Sequence, residues 1–252
     1  MSDLQSFELA ATDGKLIRGD RAMGKDRQIL FITGFLSKRW GNKSKALAQW
    51  CQEQGWGFCC YDVRGFGDSE GTFTDYTLSD WIADARTILT TLKSGPPITI
   101  VGNSLGSWIA WLIALEFELV DRLILIAPAF NMMGLRAKQI SPERRQAWQN
   151  TGWMPWDDDP LHKDWPLSWK WVEESEAYWQ TTFSRLRPVH TTILHGLQDI
   201  VILPEGSREF TRLLLAKVPT YPIDLNLIPG DHRLSSPEHV DLFRRLVSDS
   251  MR

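Results

Sequence analysis

The residues of this chain best suited to chemistry are a serine, an aspartate and a histidine, each placed after an apolar run. Ser104 lies in the pentapeptide Gly102-Asn103-Ser104-Leu105-Gly106, Asp199 follows the run 191–194, and His232 follows the run 223–228. A serine hydroxyl is a weak nucleophile near neutral pH, so it needs a neighbouring base and an acid that orients this base. The three residue types together predict nucleophilic catalysis.

The pentapeptide has the form Gly-x-Ser-x-Gly, and its flanks predict a strand, a sharp turn and a helix. The apolar run 98–101 precedes it, and a second apolar stretch, 107–115, follows it. In such a turn the serine takes a strained backbone conformation, and the glycines remove side chains that would collide where strand and helix meet. We therefore expect the Ser104 hydroxyl to be presented at the end of a strand.

The candidate acid and base come after later strands, in the order serine, aspartate, histidine. In an open parallel sheet, active groups gather outside the carboxyl ends of the strands. We prefer Asp199 to Asp231 as the acid, because Asp231 adjoins His232 and neighbouring residues rarely point their side chains at each other. His195 is expected to brace its loop.

Strands and helices alternate along the chain, and the strands are continuous apolar runs. This pattern is typical of an α/β protein with a mostly parallel sheet covered by helices on both faces. The predicted strands span 7–10, 15–18, 28–33, 56–61, 98–101, 122–127, 191–194 and 223–228. The predicted helices span 42–54, from 77 or 79 to 93, 107–115, 205–218 and 237–250. Arg64 and Asp68, after the fourth strand, are expected to lock a turn as a pair.

The alternation is interrupted by a polar, tryptophan-rich segment that contains several prolines. It predicts a small helical insertion over 131–188, within a core domain formed by 1–130 and 189–252. An insertion at this place would overhang Ser104.

Two interpretations of the tryptophans in this insertion remain open. Trp148, Trp153 and Trp156 are candidates for lining an apolar substrate pocket, because such pockets are lined by aromatic side chains. Alternatively, the rings mainly dock an insertion that lacks a core of its own.

Composition narrows the class of protein. The chain has 252 residues and a net charge of −3, which suits one α/β domain and gives no basic field for nucleic acid. No apolar run approaches the length of a membrane span. Three cysteines, an odd number, indicate reduced thiols, and with an N-terminus unlike a secretory signal they predict a cytoplasmic location. Neither the cysteines nor the five histidines have metal-ligand spacing, so no metal or cofactor is predicted.

On its motifs the chain resembles the α/β-hydrolase superfamily over nearly its whole length. The segments that carry the resemblance are Gly102–Gly106, His195-Gly196-x-x-Asp199, Gly230-Asp231-His232 and Asp62-x-Arg64-Gly65-x-Gly67-x-Ser69. Further segments resemble the acyl-protein thioesterase and acyl-glucuronide esterase branch found in mitochondria, namely 31–37, 45–48, 193–196 and 231–234. The resemblance implies the α/β-hydrolase fold with a small helical lid.

The resemblance also implies roles for single residues. Ser104 would be the nucleophile, His232 the general base and then acid, and Asp199 the residue that orients His232. The backbone N–H groups of Phe35 and Leu105 would form the oxyanion hole. Many relatives have His-Gly where this chain has Thr33-Gly34; the donor is a backbone group, so the change need not abolish it.

The resulting prediction is a serine hydrolase that cleaves carboxylic esters or thioesters of small molecules or acyl-proteins through an acyl-enzyme. A carbon–carbon bond hydrolase of diketones or dienoates is an alternative, which an inward-facing Arg136, Arg144 or Arg145 near the lid would favour. A non-catalytic ligand receptor on the same scaffold is an alternative of another class.

Overall fold

A computed structural model describes residues 4–154 and 165–249 of the chain. Its strands in chain order are β1 (Gln5–Ala10), β2 (Leu16–Ala22), β3 (Gln28–Ile32), β4 (Gly57–Tyr61), β5 (Ile98–Asn103), β6 (Val120–Ile126), β7 (Trp153–Met154), β8 (Leu167–Ser168), β9 (His190–Gly196) and β10 (Ile223–Ile228). Its α-helices are α1 (Asn42–Gln54), α2 (Leu78–Leu92), α3 (Leu105–Ala114), α4 (Met132–Gln139), α5 (Pro142–Thr151), α6 (Trp169–Thr181), α7 (Pro204–Lys217) and α8 (Pro237–Asp249).

Eight of the strands form one sheet in the order β1-β2-β4-β3-β5-β6-β9-β10. β1 pairs antiparallel with β2, and β2 with β4, whereas β4, β3, β5, β6, β9 and β10 pair parallel in this order across the sheet. The predicted mostly parallel sheet is therefore confirmed. Because the central strands are parallel, the loops that follow β3, β5, β9 and β10 leave from the same edge of the sheet.

Helices cover both faces of this sheet, as predicted. α1 and α8 pack on one face, where the buried cluster includes Leu47, Cys51 and Phe243. α2, α3 and α7 pack on the other face, where the cluster includes Trp81, Trp108 and Phe210. Every residue of β3 and β4 is buried, which explains why these strands are continuous apolar runs.

Some boundaries match the prediction and others differ for a tertiary reason. α1 ends where predicted, because Gly55 takes a left-handed conformation with φ 70°. The second strand was predicted to end at residue 18, but β2 continues to Ala22. Residues 19–22 pair with β4 through backbone hydrogen bonds. This stretch is polar and lacks the apolar pattern of a strand, so the sequence did not indicate the extension.

The segment between β6 and β9 contains α4, α5, a β7–β8 hairpin and α6. α6 packs against α2 through Trp171, and the ring centroids of Trp171 and Trp81 lie 4.9 Å apart. The helical character of the insertion agrees with the sequence pattern, and its treatment as a separate unit over 131–188 stays a prediction. Trp156 lies outside the described residues.

The pairing predicted for Arg64 and Asp68 is wrong. Arg64 turns inward and binds Asp84, with Nε 2.6 Å from Oδ1, and both side chains are buried. Asp68 remains at the surface and pairs with Arg39 at 2.7 Å. The guanidinium is drawn inward because it also packs over the ring of Tyr76, 4.7 Å from the centroid.

Replacing Arg64 should destabilise the fold far more than replacing an exposed arginine. Arg64→Met leaves the Asp84 carboxylate buried without its partner, so the free energy of unfolding should fall by about 3–5 kcal/mol. In the control Arg86→Met, the lost pair with Glu116 is exposed, with side chains 46% and 41% accessible, and the loss should stay below about 1 kcal/mol. Urea unfolding measures both, and equal losses would contradict the assignment.

Candidate active site

Ser104 lies between β5 and α3 in a conformation that few residues other than glycine adopt. Its φ is 53° and its ψ is −118°. Backbone hydrogen bonds hold it there: its N–H donates to the Ile126 carbonyl at 2.8 Å, and its carbonyl accepts from Ala129 at 3.2 Å. These bonds tie the turn to the end of β6, so the strain is maintained by the surrounding sheet.

The glycines on either side of the serine are required by close backbone contacts. A Cβ on Gly102 would lie 2.5 Å from the Gly106 carbonyl oxygen, and a Cβ on Gly106 would lie 2.2 Å from the Ile32 carbonyl oxygen. Any side chain at these positions would push α3 away from β3 and β5. The Gly-x-Ser-x-Gly spacing therefore sets the position of Ser104.

The structure brings together the three residues that the sequence singled out. His232 Nε2 lies 3.1 Å from Ser104 Oγ, and His232 Nδ1 lies 2.7 Å from Asp199 Oδ2. Ser104 follows β5, Asp199 follows β9 and His232 follows β10, so the shared edge of the parallel strands places them. Asp231 does not contact His232 in this way; its Oδ1 accepts from the backbone N–H groups of Arg233 and Leu234, each at 3.1 Å.

The Asp199 carboxylate is buried and fully engaged. Its Oδ1 accepts from the N–H groups of Val201 and Ile202 at 2.9 and 2.8 Å, and its Oδ2 contacts both His232 and His195. Burial by itself raises the pKa of Asp199, but the hydrogen bonds from His195, His232 and Ile202 outweigh it and hold that pKa well below its usual range. Asp199 is therefore ionised at neutral pH.

His195 contacts Asp199 directly, which the sequence did not reveal. It is fully buried, with Nε2 3.1 Å from Asp199 Oδ2 and 2.9 Å from the Ile202 carbonyl oxygen. Both neighbours of Nε2 are acceptors, so this nitrogen carries a hydrogen, and Nδ1 lies 2.7 Å from the Ser207 hydroxyl oxygen. His195 thus braces the loop, as expected, by holding the carboxylate itself.

The loop after β3 also lies close to Ser104. A Cβ on Gly34 would lie 3.2 Å from Ser104 Cβ, so the Gly34–Phe35 peptide passes close to the serine. The loop closes on itself, with the Thr33 hydroxyl donating to the Lys38 carbonyl at 3.4 Å and the Ser37 N–H donating to the Gly34 carbonyl at 3.2 Å. Thr33 thus takes a structural part in the loop.

A cavity of about 390 Å³ opens beside Ser104. Its wall includes Ser104 and His232, and also three cationic residues, Lys38, Lys43 and Arg233. The cavity lies between the loop after β3, the start of α1 and the residues after His232. The cations were not identified from the sequence, because they lie on three separate segments without a shared motif.

The two tryptophan candidates that the structure describes, Trp148 and Trp153, are outside the wall of this cavity. Trp148 is buried in the insertion, where its indole donates to the Leu167 carbonyl at 2.8 Å, and Trp153 is 42% exposed. Neither belongs to the cavity wall. For Trp148 the geometry favours docking of the insertion, and contact of these tryptophans with substrate stays a prediction.

Other chemistries find few suitable groups in the described part of the chain. The three cysteines are buried and free, and burial raises the pKa of the Cys51 and Cys59 thiols to about 12, which disfavours thiolate nucleophiles. Over residues 4–154 and 165–249, no three His, Cys, Asp or Glu side chains are grouped so that they could hold a metal ion. In the same residues no helix is both long and apolar enough to span a bilayer.

The fold and the strained serine turn define an enzyme of the α/β-hydrolase class. Within that class, residues 25–155 match the hydrolase family described as serine aminopeptidase, S33, and the chain belongs to this family.

Curated relatives are similar to the chain over most of its length. The mitochondrial palmitoyl-protein thioesterase ABHD10 of Rattus norvegicus is 28% identical over 245 residues, covering 91% of this chain and 76% of the relative. The protein of the same name from Homo sapiens is 27% identical over 236 residues, covering 90% and 73%.

Solved structures share the fold. The mouse α/β hydrolase domain-containing protein 10 superposes with a TM-score of 0.87 at 23% identity, covering 98% of both chains. A putative hydrolase from Agrobacterium vitis S4 has a TM-score of 0.88 at 21% identity, covering 99% of both chains. Est1E from Butyrivibrio proteoclasticus, bound to ferulic acid, has a TM-score of 0.77 at 22% identity and covers 97% of both chains.

The lowered pKa of Asp199 predicts a pH-dependent contribution to stability. Because the folded-state pKa lies below the ordinary value of 3.8, this contribution is complete above that pH and is lost as the pH falls further. Asp199→Asn should therefore lower the free energy of unfolding at pH 7, and its difference from the wild type should narrow below about pH 4. Urea unfolding from pH 7 to pH 3 measures this, with the exposed Asp224→Asn as control. A constant difference for Asp199→Asn across that range would count against the prediction.

Proposed function

We propose that this protein hydrolyses carboxylic esters or thioesters through an acyl-enzyme on Ser104. The observation that carries the proposal is the pair of contacts at His232, with Nε2 3.1 Å from Ser104 Oγ and Nδ1 2.7 Å from buried Asp199. This arrangement supplies a nucleophile, a base within reach of its proton, and an acid that orients the base.

In the first half of the reaction, His232 Nε2 takes the proton of the Ser104 hydroxyl while Oγ bonds to the carbonyl carbon. The carbonyl oxygen becomes an oxyanion, for which the N–H groups of Phe35 and Leu105 are the proposed donors. The loss of one such donor costs about 3 kcal/mol of barrier in comparable sites. The oxyanion then re-forms the carbonyl, the bond to the alcohol or thiol breaks, and His232 returns the proton to the leaving atom.

In the second half, water replaces the leaving group. His232 takes one proton from the water, whose oxygen attacks the acyl carbon. Collapse of this second oxyanion breaks the bond to Ser104 Oγ, the serine regains a proton from His232, and the carboxylic acid leaves. Asp199 stays ionised throughout and stabilises the imidazolium that forms at His232.

The relatives support this choice of reaction. The curated relatives from Rattus norvegicus and Homo sapiens are named palmitoyl-protein thioesterases. Hydrolysis of a thioester and hydrolysis of an ester both form an oxyanion, which the same hydrogen-bond donors can stabilise. A cytoplasmic location stays a prediction, and the names of the relatives carry the word mitochondrial.

The carbon–carbon bond hydrolase gains no support from the arginines that would have favoured it. Arg136, Arg144 and Arg145 are absent from the described wall of the cavity beside Ser104. The receptor alternative predicts no turnover, so the same assay separates it from the proposed enzyme.

Replacing Ser104 by alanine should abolish turnover. We expect Ser104→Ala to reduce kcat with p-nitrophenyl butyrate and with an S-butyryl thioester of N-acetylcysteamine by about 10⁴-fold or more, because the group that accepts the acyl chain is lost. A fluorophosphonate probe should label the wild type and leave this variant unlabelled.

Ser184→Ala is the matched control, since Ser184 is exposed and distant from the site in the chain. It should keep wild-type turnover and labelling. Labelling that survives Ser104→Ala, or a wild type inert towards a broad panel of esters and thioesters, would overturn the proposed function.

A further inference from the structure

The cavity beside Ser104 is within reach of the group that would protonate a leaving atom. Its wall contains both the serine and His232, and the proton for the leaving atom comes from His232. The rest of the wall combines polar residues, including Asn42, Ser44 and Ser235, with the rings of Phe31 and Phe35, and with the nearby cations it suits a polar group better than a long alkyl chain. The cavity therefore suits the alcohol or thiol portion of a substrate.

The charges around this cavity are of one sign. Lys38, Lys43 and Arg233 belong to its wall, and no aspartate or glutamate does so among the described residues. Over 4–154 and 165–249, none of these three cations forms an ion pair with a carboxylate. The wall thus presents positive charge that the described protein does not neutralise at contact distance.

The position of Lys43 is unfavourable for the fold alone. It lies in the first turn of α1, where the helix dipole disfavours a cation. Burial, with Arg233 nearby, lowers the pKa of Lys43 to about 8, although Asp231 opposes this shift. Its ammonium donates to the backbone carbonyl of Arg233, which holds it at the cavity.

We propose that Lys38, Lys43 and Arg233 form a subsite that binds a carboxylate or phosphate group on the leaving portion of the substrate. Such an anion would accept charge-assisted hydrogen bonds from the cations and compensate the cost of placing Lys43 at the start of α1. This subsite rests on the proposed function, because it assigns the leaving group of that reaction to this cavity.

Three butyryl esters that differ only in the para substituent of the leaving phenol test the proposal. Their phenols are 4-hydroxybenzamide, 4-hydroxybenzoate and 4-hydroxyphenylphosphonate, which carry no charge, a carboxylate and a phosphonate. We expect kcat/KM, normalised to the rate of alkaline hydrolysis, to be about 10-fold or more higher for an anionic ester than for the neutral one. Preference for the carboxylate or for the phosphonate distinguishes the two anions.

Lys43→Met should reduce the ratio of anionic to neutral kcat/KM by about 10-fold, because its alkyl stem remains while the charge is lost. Lys45→Met is the matched control; Lys45 is exposed on the same helix turn and outside the cavity wall, and the wild-type ratio should be kept. Equal use of all three esters by the wild type, or an unchanged ratio in Lys43→Met, would overturn the subsite.

A binding measurement separates failure of the subsite from failure of the proposed function. Calorimetry on Ser104→Ala should show tighter binding of an anionic phenol, 4-hydroxybenzoate or 4-hydroxyphenylphosphonate, than of 4-hydroxybenzamide, and the added Lys43→Met substitution should remove the difference. Anion-selective binding without turnover in the wild type would retain the subsite and overturn the hydrolase. Turnover by the wild type without anion selectivity would overturn the subsite and retain the hydrolase.

Discussion

The close approach of α3 to the ends of β3 and β5 is the constraint on which the site depends. It leaves no space for a side chain at Gly106, where a Cβ would lie 2.2 Å from the Ile32 carbonyl oxygen. This packing forces the chain to turn sharply at Ser104, whose φ of 53° is held by hydrogen bonds to the end of β6. The strain is local, but the energy that maintains it comes from the buried sheet around it.

Electrostatics at the site follow from the same architecture. Asp199 is buried yet receives hydrogen bonds from two backbone N–H groups and two histidines, so its charge is stabilised in place. In the proposed reaction, His232 would gain a proton from Ser104 beside this fixed negative charge, without reorganisation of solvent. Across the site, Lys43 and Arg233 give the cavity the opposite sign. In the proposed reaction, the buried Asp199 carboxylate supports His232, and the cations of the cavity face the leaving group.

Sequence reasoning placed residues correctly where their position depends on strand ends, and it failed where their position depends on side-chain partners. Alternating apolar runs predict the parallel sheet, and its common edge brings Ser104, Asp199 and His232 together. The partner of Arg64 was predicted wrongly, because a turn motif suggests Asp68 whereas burial selects Asp84 on α2. Similarly, the contact of His195 with Asp199 depends on the direction of a buried ring within its loop, which no spacing rule indicates.

By itself, the sequence determined the class of fold, the sharp turn at Ser104 and the chain order of Ser104, Asp199 and His232. These features depend on the local periodicity of apolar residues and on the glycines that flank the serine. Only the tertiary structure decided which groups line the cavity beside Ser104. Lys43 reaches the carbonyl of Arg233, a residue 190 positions away, because α1 and the loop after β10 meet at one end of the sheet. Such contacts depend on how distant segments pack together, so the sequence pattern of either segment alone does not predict them.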